Sequence, residues 1–132
     1  MAVWAGGLTV NDFFTNQLKE GFQRHLPNSG DAYNLFDGPG GPKVNKSMPS
    51  AHTSNAFATA SAFATVYQNM KWVPPVAYGL ASLVGISRIY SNAHWASDVL
   101  VGAGVGYLST KLSYWVYEKA NRWNKKRTRK AP

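Results

Sequence analysis

Apolar residues recur at Phe14, Leu18 and Phe22 within LTVNDFFTNQLKEGFQRHL, residues 8–26. That four-residue step predicts a helix, and Pro27 is positioned to stop it. The periodicity then lapses. Between Asn28 and Met48 the chain reads NSGDAYNLFDGPGGPKVNKSM, crowded with Gly, Pro, Asn and Asp. This composition predicts a loop long enough to act as a crossing or a lid. The pattern resumes after Ser50, a good N-cap, with small residues between Phe57, Phe63 and Tyr67. KWVPPV predicts a short turn with proline at a helix start, and a third helix over about Val76 to Ile86. A fourth is expected from His94 or Ala96 to about Trp123. In it Gly102 and Gly106 stand four apart, a spacing that lets helix backbones approach closely. The pattern predicts an all-α helical bundle, with one domain over residues 1–118 and a basic tail over 119–132.

Composition sharpens this picture. Hydrophobic residues make up 45% of the 132 and charged residues only 15%, below the roughly 25% of ordinary soluble domains. Such a balance suits a tightly packed helical protein or one lying at a membrane. The spans are weak, however. The run between Lys71 and Arg88 is 16 uncharged residues, short of the roughly 20 a bilayer needs. Lys111 interrupts the stretch from Val99 to Tyr117, and mean hydropathy is −0.28. The first residues lack the basic and apolar regions of a signal peptide. With no cysteine in the chain, thiolate catalysis, disulfides and Cys-ligated metals are excluded. Seven of the fourteen basic residues fall between Lys119 and Lys130. They read as a solvated tail or as a cluster drawn to anionic lipid. No nucleic-acid module precedes them, so nucleic acid is not an expected partner.

The chemistry concentrates in SRIYSNAHWASDVLVG, residues 87–102. His94 and Asp98 are four apart, on one face of a helix, and a turn can return Arg88 toward them. A cation, an imidazole and a carboxylate with little other charge nearby suggest an anion site. Asp98 can fix the His94 tautomer and stabilise the cation formed if the imidazole attacks phosphorus. His52, arriving from another helix start, suits a general acid and base. Lys19, Arg24 and Arg88 can neutralise phosphoryl oxygens, while amides near Ser50 and Ala51 offer a helix N-terminus. Each residue also has a plain reading: His94 and Asp98 as a structural pair, Ser50 as a cap only, Arg24 as a solvated cation. His25 reads as surface, and Trp95 and Tyr90 as packing residues.

The spacing Arg88, five residues, His94, three residues, Asp98 resembles the third signature motif of the type-2 phosphatidic acid phosphatase and vanadium haloperoxidase superfamily. PSAH, Pro49 to His52, resembles its second motif, with Ala51 where glycine is usual. The first motif, Lys, six residues, Arg-Pro, is matched by Lys19 and Pro27 but has Leu26 in place of the arginine. The resemblance implies metal-independent hydrolysis of a phosphate monoester or a lipid phosphate or pyrophosphate through a phosphohistidine. It assigns His94 as nucleophile, Asp98 as its partner and His52 as acid and base. Lys19, Arg24, Arg88, Ser50 and Ala51 are expected to hold phosphate. No metal or cofactor is expected, although vanadate fits the site as a phosphate mimic.

Membrane members of the family carry two further N-terminal helices that this sequence is expected to lack, and soluble relatives exist. The implied place is the cell envelope, membrane or periplasm, with the partner a phosphorylated small molecule or lipid. In an embedded protein the basic tail would be cytoplasmic and the site on the other side. Leu26 leaves room for a degenerate or truncated module that binds phosphorylated lipid without turnover. A vanadate-dependent haloperoxidase is a third reading, which the short chain and incomplete cation set disfavour.

Overall fold

Four helices, α1 (Ala2–Phe22), α2 (Ala51–Val66), α3 (Val73–Tyr90) and α4 (Ala96–Thr128), make up the bundle, in a computed structural model that describes residues 2–128. Arg129 and Lys130 of the basic tail lie outside the described residues. A single 3₁₀ turn, Pro27–Ser29, interrupts the long connection between α1 and α2. The all-α expectation holds.

α2 occupies the middle, packed against α1, α3 and α4, while α1 also packs on α4. Its sequence explains why it can sit there. Thr53, Ser54, Ala58, Ala60, Ser61, Ala62 and Thr65 are its buried positions, so neighbouring helices can close on it from several sides. On α4, Gly102 and Gly106 are buried against it. A Cβ at Gly102 would stand 2.6 Å from the Ser50 carbonyl oxygen, and one at Gly106 would stand 2.8 Å from the Ala58 nitrogen. The expected glycine spacing is therefore a backbone-to-backbone seam between α2 and α4.

The interior is polar where the periodicity suggests an apolar one. Asn11 and Thr15 of α1 are buried, whereas Phe14 and Phe22 are exposed. The Phe14–Leu18–Phe22 stripe shares a helix face, but that face points away from the bundle. Asn11 Nδ2 donates to Asn55 Oδ1 at 2.6 Å, and Asn11 Oδ1 accepts from Ser54 Oγ. Thr110 Oγ1 donates to the Ala58 carbonyl at 3.0 Å. These bonds satisfy groups that would otherwise be costly to bury. Small residues and interhelical hydrogen bonds are what hold helices together in lipid, where apolar surface gains nothing from burial. No helix among the described residues is long and apolar enough to cross a membrane.

Helix ends differ from the expected ones in instructive ways. α1 starts at Ala2 rather than near residue 8, and it stops at Phe22, before Pro27. The break belongs to Gln23, whose φ of 44° leaves the helical region. Its side chain secures the turn, with Nε2 donating to the Gly38 carbonyl at 2.7 Å and Oε1 accepting from Lys43 N at 2.6 Å. α3 begins at Val73 with both prolines in its first turn, where their missing N–H groups cost nothing. α4 runs past Trp123 to Thr128.

Candidate active site

Helix direction assembles the site. Gly7 of α1 faces Thr110 of α4, while Arg24, just past α1, bonds Asp98 near the start of α4, so these helices are antiparallel. α2 runs parallel to α4, since Ser50 and Ala58 meet Gly102 and Gly106. α3 is antiparallel to α2, with Tyr78 OH donating to Ser61 Oγ at 3.1 Å and Gly85 against Thr53. One end of the bundle thus gathers Lys19, His52, Arg88, His94 and Asp98. It carries the N-termini of α2 and α4, whose partial positive charge favours an anion.

The His94 ring is 11% exposed and turns Nδ1 inward, 3.8 Å from Asp98 Oδ2. That Nδ1 is buried and has no hydrogen-bond partner. Its main chain is fixed by the end of α3, because the amides of Ala93 and His94 both donate to the Arg88 carbonyl. Arg88 thereby positions His94 through its backbone. Its side chain, touching only Ser87 Oγ at 3.4 Å, has no carboxylate partner among the described residues.

Asp98 is fully buried and heavily bonded. Oδ1 accepts from Arg24 Nη1 at 2.6 Å. Oδ2 accepts from Ser47 Oγ at 2.5 Å and from the Trp95 amide at 3.0 Å. Burial pushes its carboxyl upward, but the nearby His94 imidazole and the bonds from Ser47, Trp95 and Arg24 outweigh it and hold the group below the ordinary carboxylate value. Lys19 Nζ donates to the Lys46 carbonyl at 2.5 Å. Burial lowers its ammonium, with the charge of Lys46 adding to the effect and that of Asp98 opposing it.

The remaining expected site residues take varied places. His52 is exposed in the first turn of α2. Ser50 caps that helix, its Oγ accepting from Thr53 Oγ1 at 3.0 Å. The Ser50 amide donates to the Asp98 carbonyl at 3.0 Å, so it is not free for phosphate. Ala51 has no positive φ, and its Cβ brings no backbone strain. Arg24, expected to hold phosphate, is buried and spent elsewhere. Nη1 reaches Ser97 Oγ as well as Asp98, while Nε and Nη2 donate to the Tyr33 carbonyl at 3.0 and 2.7 Å. The guanidinium lies between Phe36 and Trp95, 5.2 and 5.6 Å from their ring centres. Tyr90, expected to pack, is 94% exposed.

Sequence reasoning passed over Ser47 and His25. A lone serine in a Gly- and Pro-rich stretch gives no local signal. His25 is not a free surface group: Nδ1 lies 2.8 Å from Asp31 and Nε2 3.0 Å from Asp37. Asn45 joins this cluster, and Trp95 Nε1 donates to the His25 carbonyl at 2.9 Å. The 28–48 segment is thus clasped against the site.

The hydrogen bonds to Asp31 and then Asp37 raise the His25 imidazole above its ordinary 6.5. The same contacts, with Asn45 foremost at Asp37, hold both carboxylates below 3.8. The imidazolium's contribution is complete below about pH 6.5 and lost as pH rises through the raised value. The carboxylates' contribution is complete above about 3.8 and lost as pH falls through their lowered values. Amide-exchange protection at His25 and Asp37, corrected for intrinsic rates, is therefore expected to be greatest in mildly acidic solution and to decline toward alkaline pH. Protection independent of pH would show that the clasp does not depend on charge.

A model of the PAP2 superfamily matches residues 2–122. The chain is 49% identical over 79 residues to a lipid A 1-phosphatase of Porphyromonas gingivalis, covering 59% of this chain and 18% of that protein. It is 35% identical over 77 residues to the bacitracin transport permease protein BcrC of Bacillus licheniformis, covering 58% of this chain and 36% of that protein. The chain therefore spans well under half the length of these relatives. No solved structure matches it.

Proposed function

Given that this chain belongs to the PAP2 superfamily, we propose that it hydrolyses a phosphate ester of a lipid, without a metal, through a phosphohistidine at His94. The observation that carries this reading is the turn of His94 Nδ1 toward Asp98, 3.8 Å away, which leaves Nε2 for attack. Nε2 bonds to phosphorus as the bond to the leaving oxygen breaks, and His52 gives that oxygen its proton. Water then attacks the phosphohistidine with His52 as base, releasing inorganic phosphate and neutral His94. Arg88 and Lys19 neutralise the phosphoryl oxygens, and the N-termini of α2 and α4 supply further positive field.

Two features favour a lipid over a small soluble ester. Matched relatives bear the names of a lipid A phosphatase and a bacitracin permease. An apolar groove of about 700 Å³ also follows α2 and α3, from Asn55 and Val84 near the site to Met70 and Trp72 at the far turn. Large apolar side chains lie outside on every helix, among them Phe13, Val66, Leu83 and Leu108. Such a surface fits association with a membrane of the cell envelope. In that setting the site and the basic end of α4 face opposite sides.

Phosphate release from phosphatidic acid in mixed micelles, compared with p-nitrophenyl phosphate, tests the reading. With EDTA present, turnover is expected to be undiminished, the lipid to be favoured in kcat/KM, and orthovanadate to inhibit competitively. Loss of activity in EDTA would refute the metal-free mechanism, and equal kcat/KM for both substrates would refute the lipid preference. A second reading rests on Leu26 and on Arg24 being spent on Asp98. Two cations of the phosphate clamp are then absent, which suits a module that binds phosphorylated lipid without hydrolysing it. Lipid binding by a folded but inactive protein would favour that reading.

A further inference from the structure

Asp98 is shared among more donors than a catalytic dyad needs. Ser47 and Trp95 hold Oδ2, Arg24 holds Oδ1, and His94 Nδ1 is left buried and unpaired at 3.8 Å. Ser47 lies near the end of the clasped segment and Arg24 just before its start. The Ser47 amide donates to the Arg24 carbonyl at 3.1 Å, and the rest of the Arg24 guanidinium grips Tyr33 within the segment.

Resting on the phosphatase reading above, we propose that Ser47 and Arg24 are positioning residues that act through Asp98. They draw its negative charge away from His94, so that the imidazole meets the phosphate neutral, with Nε2 unprotonated. A histidine protonated by a fully available carboxylate neighbour cannot attack. A carboxylate engaged by a hydroxyl and a guanidinium still orients the ring but favours the imidazolium less. Phosphate binding can then draw His94 onto Asp98 as positive charge develops on the ring.

The other titratable groups at this end of the bundle are Lys19 from α1, whose charge acts on Asp98, Lys46 from the segment, His52 from α2 and Arg88 from α3. None of them is a carboxylate, so none adds to the pull of Asp98 on a proton at His94. Asp98 is the one carboxylate among the described residues in contact with His94, so its own partners decide how much negative charge the ring meets.

The test is the pH dependence of kcat/KM for Ser47→Ala, Ser47→Thr and wild type. In the alanine variant the acidic limb is expected to move up by about half a unit to one unit. That is a three- to ten-fold loss on the acidic side, with the alkaline plateau nearly retained. Threonine, which keeps the hydroxyl, is expected to restore the wild-type limb. A loss equal at every pH would overturn the proposal, leaving Ser47 a structural residue only. Should the alanine variant not fold, Ser47→Cys, close in shape but a far weaker donor, is expected to shift the limb the same way.

Titrating the His94 imidazole by NMR in the same proteins separates this proposal from the phosphatase reading, because it needs no turnover. A move to higher pH in Ser47→Ala supports the charge-sharing role even in a protein that hydrolyses nothing. An unmoved titration refutes it even in an active one.

Discussion

His94→Ala is expected to lower kcat on any phosphate ester by roughly 10⁴-fold or more, the scale seen when a covalent nucleophile is removed. The loss should fall on kcat, because Arg88, Lys19 and the two helix N-termini proposed to bind the anion are untouched. KM for the lipid should change little. Asp98→Asn is expected to be less severe in turnover but worse for folding. It removes the charge opposite Arg24, whose guanidinium is buried between Phe36 and Trp95, and an unpaired buried cation is costly. Measuring kcat and thermal unfolding of both variants separates the roles. A His94→Ala protein that turns over at the wild-type rate would remove His94 from the chemistry.

The second large effect is structural. Gly106→Ala places a methyl group against backbone, 2.8 Å from the Ala58 nitrogen and closer still to the Ser54 carbonyl oxygen. Backbone cannot swing aside as a side chain can, so α2 and α4 must separate. Overpacking of this kind costs about 1–3 kcal/mol or more, against a gain in helix propensity of about 1 kcal/mol. A net loss of up to about 2 kcal/mol is expected, a fall in Tm of several degrees. Gly104 faces open space, and Gly104→Ala is expected to raise Tm through the same propensity gain. Equal Tm changes in the two variants would show that the α2–α4 seam is not closed at Gly106. The seam also sets how far the start of α2, which carries His52, stands from the start of α4, which follows His94 by two residues.

The bundle itself was legible in the sequence because its signals are local. Ser50 announces the cap of α2, the two prolines of VPPV sit where a helix start tolerates them, and Gly102 with Gly106 marks a close approach. His94 and Asp98 share a face by their spacing alone. What periodicity cannot say is which side of a helix meets the core. Phe14 and Phe22 form a regular stripe, yet the interior takes Asn11 and Thr15, because this bundle is closed by small and hydrogen-bonding residues. Pro27 looked like the end of α1, but the chain turns four residues earlier, where Gln23 finds partners in Gly38 and Lys43 that only the folded loop provides.

The fixing of Asp98 is hidden for the same reason. Ser47 lies 51 residues from Asp98 and Arg24 lies 74 away, and neither stands in a spacing that names its partner. A motif identifies the groups that meet the substrate, because their chemistry restricts their type and separation. Groups that hold those residues in place can come from any segment that passes nearby.

Hydrolysis by this route passes through a covalent bond between His94 and phosphorus, which can be trapped. Wild-type protein would be mixed with a phosphate-labelled lipid substrate, quenched in alkali within one turnover, and its peptides mapped. Label is expected on the peptide containing His94, stable to alkali, lost in acid and absent from His94→Ala. Turnover with no label on His94 at any time, or label on another residue, would contradict this route.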